Sequence, residues 1–172
     1  MRKLIMIFSL VLILSLHTIA QNKRLISIQL SVNQIELGLE HQILSEKLSA
    51  DIYTGIANQD INNNFDDFSI RFGFGYKAIS NSKNQIALHS GIGLYFSNND
   101  YYSITVPLVN ADFRYTRFIG KREKHGLFIN VGYRYGKREF KQIYASDIVE
   151  ITTADRLILK PVQLTVGYGF KF

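Results

Sequence analysis

The segment Val162-Gln163-Leu164-Thr165-Val166-Gly167-Tyr168-Gly169-Phe170-Lys171-Phe172 decides the fold. In an extended chain, successive side chains point to opposite faces. Val162, Leu164, Val166, Tyr168, Phe170 and Phe172 therefore share one face, and Gln163, Thr165, Gly167, Gly169 and Lys171 share the other. Alternation over eleven residues without a break predicts a strand with one apolar and one small or polar side.

The same pattern recurs upstream, separated by clusters of Asn, Ser, Lys and Asp. From about residue 125 to 137, Leu127, Ile129, Val131, Tyr133 and Tyr135 oppose Asn130, Gly132, Arg134 and Gly136. From about 102 to 118, Val109, Ala111, Phe113 and Tyr115 oppose Asn110, Asp112, Arg114 and Thr116. In the first half of that strand Ile104, Val106 and Leu108 fall on the polar side, so a bulge near Pro107 is expected to switch the faces. Ile86, Leu88, Ile92, Leu94 and Phe96 make another apolar face, as do Phe68, Ile70, Phe72, Phe74 and Tyr76. Leu48, Ala50, Ile52, Thr54 and Ile56 form the next, then Ile35, Leu37 and Leu39, and finally Ile26, Ile28 and Leu30. Residues 24–42 read either as one long strand or as two with a tight connection at 31–34, and two is the preferred reading. The fold class expected is all-β: an eight-stranded antiparallel up-and-down transmembrane β-barrel. Connections at 43–47, 80–84 and 119–124 are short. Those at 58–66, 97–101 and 138–158 are longer or rich in Asn and Asp.

Residues 1–20 read as a signal peptide, leaving 21–172 as the barrel domain. Arg2 and Lys3 precede an apolar run at 4–16, and Thr18 and Ala20 occupy the small-residue positions of a cleavage site. A run of 13 residues is short for an uncleaved anchor helix. Arg2 and Lys3 are the only charged residues of this segment, so its removal lowers the formal net charge from +6 to +4. An exported chain without cysteine has no disulfides, so packing or a membrane must hold it. The 20 Lys and Arg are spread along the chain rather than gathered in a stripe, which argues against nucleic-acid binding.

A soluble barrel also alternates, with its apolar face inward. The second face separates the two cases. It sets Gly73 and Gly75 beside Arg71 and Lys77, and Gly132 and Gly136 beside Arg134. Repeated glycine weakens a solvent-facing strand. In a narrow lumen it makes room for long side chains. Tyr76, Tyr133, Tyr135 and Phe170 near the ends of the apolar faces match the aromatic belts of a membrane barrel.

With Tyr168, Phe170 and Phe172 at alternate positions, the end of the chain resembles the C-terminal assembly signal of outer-membrane β-barrel proteins. The whole segment 21–172 resembles the OmpA/OmpX-like class of small barrels from Gram-negative bacteria. That resemblance implies a place in the cell outer membrane, contact with outer-membrane lipid, and delivery by the barrel-assembly machinery. A monomer is expected.

The inward face carries Glu36, Glu40, Asp51, Arg71, Lys77, His89, Asp112, Arg114, Arg134 and Lys171. Unpaired buried charge is expensive, so these residues are expected to form an interior salt-bridge network that plugs the lumen. The alternative is a narrow pore lined by charge. His89 and Ser90 invite comparison with lipid-trimming barrel enzymes of similar size, but adjacent strand residues face opposite ways, and the His-x-Ser pattern of those enzymes is missing. No catalytic residue is assigned. His41 and His125 show no metal-ligand spacing, and the acidic loop at 62–67 does not match a calcium loop, so no metal is expected. No phosphate loop or cofactor fingerprint is present either. The basic run at 121–125 reads as a solvated turn, or as a contact for anionic lipid headgroups. Between 140 and 151, Ile143, Tyr144, Ile148, Val149 and Ile151 are apolar for a loop and predict a hairpin turning at Ser146 and Asp147. A surface protein partner is the expectation for that hairpin. The leading function is a structural or surface-interaction barrel. A small pore for ions or solutes is the alternative, and a lipid-modifying enzyme the third reading.

Overall fold

In the computed structural model, residues 24–43, 45–58, 65–98, 103–120, 122–145 and 150–172 are described. The expected signal peptide therefore lies outside the described residues, as do Lys121, Ser146, Asp147, Ile148 and Val149. The strands are β1 (Arg24–Ser31), β2 (Gln34–Ile43), β3 (Leu48–Ala57), β4 (Asp67–Ser80), β5 (Asn84–Asn98), β6 (Ser103–Ile119), β7 (His125–Ala145), β8 (Glu150–Ile158) and β9 (Val162–Lys171). Each of β1 to β7 pairs antiparallel with the next. β9 pairs with the first half of β7, from His125 against Phe170 to Tyr133 against Val162. It also pairs with β1, from Leu25 against Lys171 to Ser31 against Thr165. These two ladders close a barrel of eight strands, in which β9 is the eighth.

β8 stands outside this ring. It pairs with the second half of β7, from Lys137 against Ile158 to Ala145 against Glu150. β8 and β9 thus share one partner, and residues 159–161 join them. The Leu159 N–H donates to the Gly136 carbonyl at 3.0 Å, and the Arg134 N–H to the Pro161 carbonyl at 2.6 Å. The expected eighth strand is therefore continued above the barrel by an extra hairpin arm. The reading of residues 24–42 as two strands holds, since Ser31 pairs with Gln34 across a two-residue turn.

The ring is apolar outside. Phe72, Ile92, Val131 and Leu164 are 52%, 66%, 54% and 60% exposed, while the alternate residues Arg71, Gly91, Gly132 and Thr165 turn inward. A fully water-exposed surface of this kind would be an aggregation hazard. In hydrocarbon it is the expected exterior. On β7 the outward face runs from His125 to Tyr135, which spans roughly 25 Å along the barrel axis at a typical strand tilt. At one end His125 bonds the Tyr168 hydroxyl and packs against Phe170, with ring centroids 5.3 Å apart. Phe68 and Phe96 pair near the other end at 5.9 Å. Polar-tipped and flat aromatic groups thus mark both boundaries of the apolar band.

The bulge expected near Pro107 is not there. The β5–β6 register runs unbroken from Asn84 against Arg117 to Asn98 against Ser103. Ile104, Val106 and Leu108 keep their phase and point inward, where all three are buried. They meet Ala57, Tyr95, Leu157 and Leu159 in an apolar cluster at the long-loop mouth. A sealing cluster needs apolar groups inside, and this is why the inward face of that half-strand carries Ile104, Val106 and Leu108. Pro107 instead marks where the ladder to β7 stops, just past Leu108 against Gly136. Proline has no N–H to extend it. The register shift in the β4–β5 ladder falls between Lys77 and Ile79.

Glycine serves close approach, as at Gly167, where an added Cβ would lie 2.5 Å from Phe128 Cε2. Gly167→Ala is expected to destabilise the barrel by about 1–3 kcal/mol through overpacking. Phe128→Leu in the same chain should restore part of the loss. Urea unfolding in lipid vesicles, followed by the folded-to-unfolded gel shift, measures both.

Candidate functional site

The lumen is the candidate site, and it is stacked in layers. Nearest the short turns, Arg24, Glu40, Gln42, Lys77, Gln85 and Lys171 line a cleft of about 80 Å³. Lys171 Nζ sits 3.1 Å from the centre of the Phe118 ring, a cation–π contact at the mouth.

One step deeper lies Arg114, 1% exposed. Its Nη1 donates to Glu40 Oε2 at 3.1 Å, its Nη2 to the Tyr53 hydroxyl at 2.6 Å, and its Nε to Asn130 Oδ1 at 2.9 Å. The Phe128 ring lies beneath the guanidinium at 4.7 Å. Beside it, His89 Nδ1 and Asp51 Oδ2 are 2.9 Å apart. Both of these residues are buried.

The next layer is built on Glu36. Arg71 reaches it with two donors, Nε to Oε1 at 3.0 Å and Nη2 to Oε2 at 2.6 Å. Gln29 and Gln34 add donors to the same carboxylate at 2.6 and 2.8 Å. The planar fork of arginine suits this two-point grip, which a lysine would not provide. Asn130 ties the layers together by donating to Gln29 Oε1 at 2.9 Å.

Above it sits Arg134, also 1% exposed. It differs from the expectation of paired charges, because its partners are amides and a ring. Nη1 donates to Gln34 Oε1 at 2.7 Å, and the guanidinium lies 5.5 Å from the Tyr95 ring centre. With its amide oxygen turned towards the guanidinium, Gln163 accepts from Nη2 at 3.0 Å. Tyr95 in turn donates to Asp67 at 2.5 Å. The apolar cluster of Ala57, Ile104, Val106, Leu108, Leu157 and Leu159 covers this layer.

Between the Glu36 and Arg114 layers, Gln29, Arg71, Asp112, Asn130 and Thr165 line a gap of about 10 Å³. That is at the lower limit for one water. The Arg114 layer separates it from the 80 Å³ cleft at the mouth.

The inward residues singled out in the sequence thus divide in three. Glu36 with Arg71, Glu40 with Arg114, and Asp51 with His89 are joined. Arg134 is held by neutral groups. Lys77 and Lys171 sit half-buried at the mouth, and half-buried Asp112 lines the small gap beside Arg71. Sequence reading passed over Gln29, Gln34, Tyr53, Asn130 and Tyr95, whose inward phase was visible but whose neutral chemistry carried no flag. His89 faces the lumen and Ser90 faces outward, so the two cannot act as a nucleophile and base. Among the described residues, no group of three or more His, Cys, Asp or Glu is placed to hold a metal ion.

Tyr168, Phe170 and Phe172 end the outward face of β9, and the Phe172 N–H closes onto the Arg24 carbonyl at 3.1 Å. Ile143 and Tyr144 fall in β7, opposite Thr152 and Ile151 of β8.

No protein-family model matches the chain, and no curated protein matches it in sequence. Solved structures do match its fold. A major outer membrane protein from Thermus thermophilus aligns with a TM-score of 0.54 at 11% identity, covering 88% of this chain and 100% of that one. The N-terminal β-barrel domain of Pseudomonas aeruginosa OprF aligns with the same TM-score at 9% identity, covering 88% of this chain and 96% of that one. The chain has the fold of the small outer-membrane β-barrels.

Removing one partner of a buried pair leaves the other charge uncompensated. Glu36→Ala is expected to cost about 3–5 kcal/mol by stranding Arg71. The double variant Glu36→Ala with Arg71→Met should recover most of that loss. Urea unfolding in vesicles at neutral pH measures the cycle.

Proposed function

We propose that this protein is an outer-membrane barrel, exported by residues 1–20, whose lumen is closed and whose work is done at the cell surface. The observation that carries this reading is the filled interior. Two arginines at 1% exposure span the lumen, and an apolar cluster covers the long-loop mouth above them. An ion entering from that side would first meet Ile104, Val106 and Leu157, then a guanidinium already held by three partners or more. Eight strands leave a bore just wide enough to be filled by side chains. The rival reading, a small pore, needs that network to open.

The surface work falls to the β7–β8 arm. Its strands pair with each other over nine positions. β6 leaves β7 at Gly136, and no described strand covers the other side of β8. A two-stranded arm with no further described strand along it is the kind of element that takes part in strand addition. The base is anchored. Leu157 and Leu159 insert into the lumen mouth, and Arg138 Nη1 donates to the Thr105 carbonyl at 2.6 Å. An anchored two-stranded arm suits a surface protein partner. In this reading the barrel stands as a monomer in outer-membrane lipid, carries no cofactor and catalyses no reaction. The assembly machinery reads Tyr168, Phe170 and Phe172.

In planar bilayers the purified protein is expected to be silent. Steady openings abolished by substitution at Arg134 or Glu40 would establish the pore instead. Deleting residues 140–152 should leave the barrel folded and reduce adhesion to a partner surface. Unchanged adhesion would remove the arm from the account.

A further inference from the structure

Charge is unevenly divided between the two ends of the barrel. At the short-turn end, the exposed or half-buried cations Lys47, Lys83, Arg117, Arg122 and Lys124 outnumber the exposed or half-buried carboxylate side chains Glu46 and Glu123 among the described residues. Three more cations, Arg24, Lys77 and Lys171, line the mouth at the same end. Arg117 differs from the rest in its direction. It lies on the outward, lipid-facing phase of β6, two residues beyond Tyr115 and two before Ile119. Its neighbour on β5 is Asn84, whose Oδ1 accepts from the Tyr115 hydroxyl at 2.8 Å. The Lys83 carbonyl accepts from the Phe118 N–H at 2.7 Å, which brings Lys83 alongside Arg117. Further round the same rim, Lys124 Nζ lies 5.8 Å from the Phe170 ring centre, level with the His125–Tyr168 pair. Among the described residues no carboxylate pairs with Arg117, Lys83 or Lys124.

We propose that this rim, centred on Arg117 and Lys83 with Lys124 further round, binds the headgroup phosphate of an anionic phospholipid. Depth selects a lipid as the ligand. The guanidinium stands near the end of the apolar band, paired in register with exposed Leu127 and with exposed Tyr115 and Phe113 on the membrane side. A ligand with a phosphate on the cations and hydrocarbon along those three residues satisfies both surfaces. Charge selects the anionic class. A zwitterionic headgroup would bring its own ammonium into a cluster of cations, whereas an anionic one brings none. Each basic residue near such a surface favours association by about fivefold. The inference rests on the membrane reading above and is independent of the hairpin arm.

The chain has no tryptophan, so one introduced indole reports alone. Ile119→Trp, folded into phosphatidylcholine vesicles containing brominated phosphatidylglycerol, gives the relative affinity by quenching, with brominated phosphatidylcholine as reference. Phosphatidylglycerol is expected to be favoured about fivefold or more at this position. No preference is expected for Ile35→Trp at the opposite rim. Adding Arg117→Gln and Lys83→Gln should abolish the preference while the folded gel shift persists. Equal affinity for the two lipids in correctly folded Ile119→Trp would overturn the proposal. So would loss of the preference on adding inorganic phosphate at constant ionic strength, which would show a site for the free anion. Failure of the protein to fold into vesicles at all would count against the membrane reading itself.

Discussion

In hydrocarbon no water is available to a bare peptide group, so every backbone donor and acceptor at membrane depth needs a partner in the chain. The ladder between β9 and β1 meets that requirement. It joins the last strand to the first over seven positions and removes the two edges an open sheet would leave. The other features of the barrel follow from this closure. It fixes the count at eight, and the count fixes a bore too narrow for water-filled space between long side chains.

Given a bore of that width, the inward face must be filled without leaving charge alone. Arg71 and Arg114 solve this by spreading one guanidinium over a carboxylate and further neutral acceptors or rings. Such pairs are poor sources of net stability compared with a greasy filling. Their value here is directional. A strand apolar on both faces has no preferred side for lipid, and a slip of one residue would exchange the faces. Ion pairs and amides on one side make that slip costly. Where specification matters less, at the long-loop mouth, the filling is apolar and the leucines of the β8–β9 segment complete it.

Much of this was legible because the two faces differ chemically residue by residue. The alternation of Leu127, Ile129 and Val131 with Asn130 and Gly132 gave the phase of β7, and Glu36, Glu40 and Arg114 could be assigned to the lumen from phase alone. Pro107 was misjudged because apolar residues on an inward phase look like a change of face. Only the three-dimensional meeting of Val106 with Tyr95 and Leu159 shows that they belong inside. The pairing pattern was likewise beyond reach. Glu40 and Arg114 are 74 residues apart, and nothing local distinguishes that partner from Arg71 or Arg134. The arm was visible as apolar residues in a loop. Its continuity with β9 was hidden, because residues 159–161 break the alternation.

The most direct test exploits the absence of cysteine. Nitroxide labels on single cysteines at Phe72, Val131 and Leu164 in the vesicle-bound protein report whether each position meets lipid or water. The account predicts high collision rates with oxygen and shielding from a water-soluble nickel reagent at all three positions. Labels buried from both reagents, with substitutions at Arg71 and Arg134 exposed to nickel, would mean an apolar centre and a polar skin, and would contradict it.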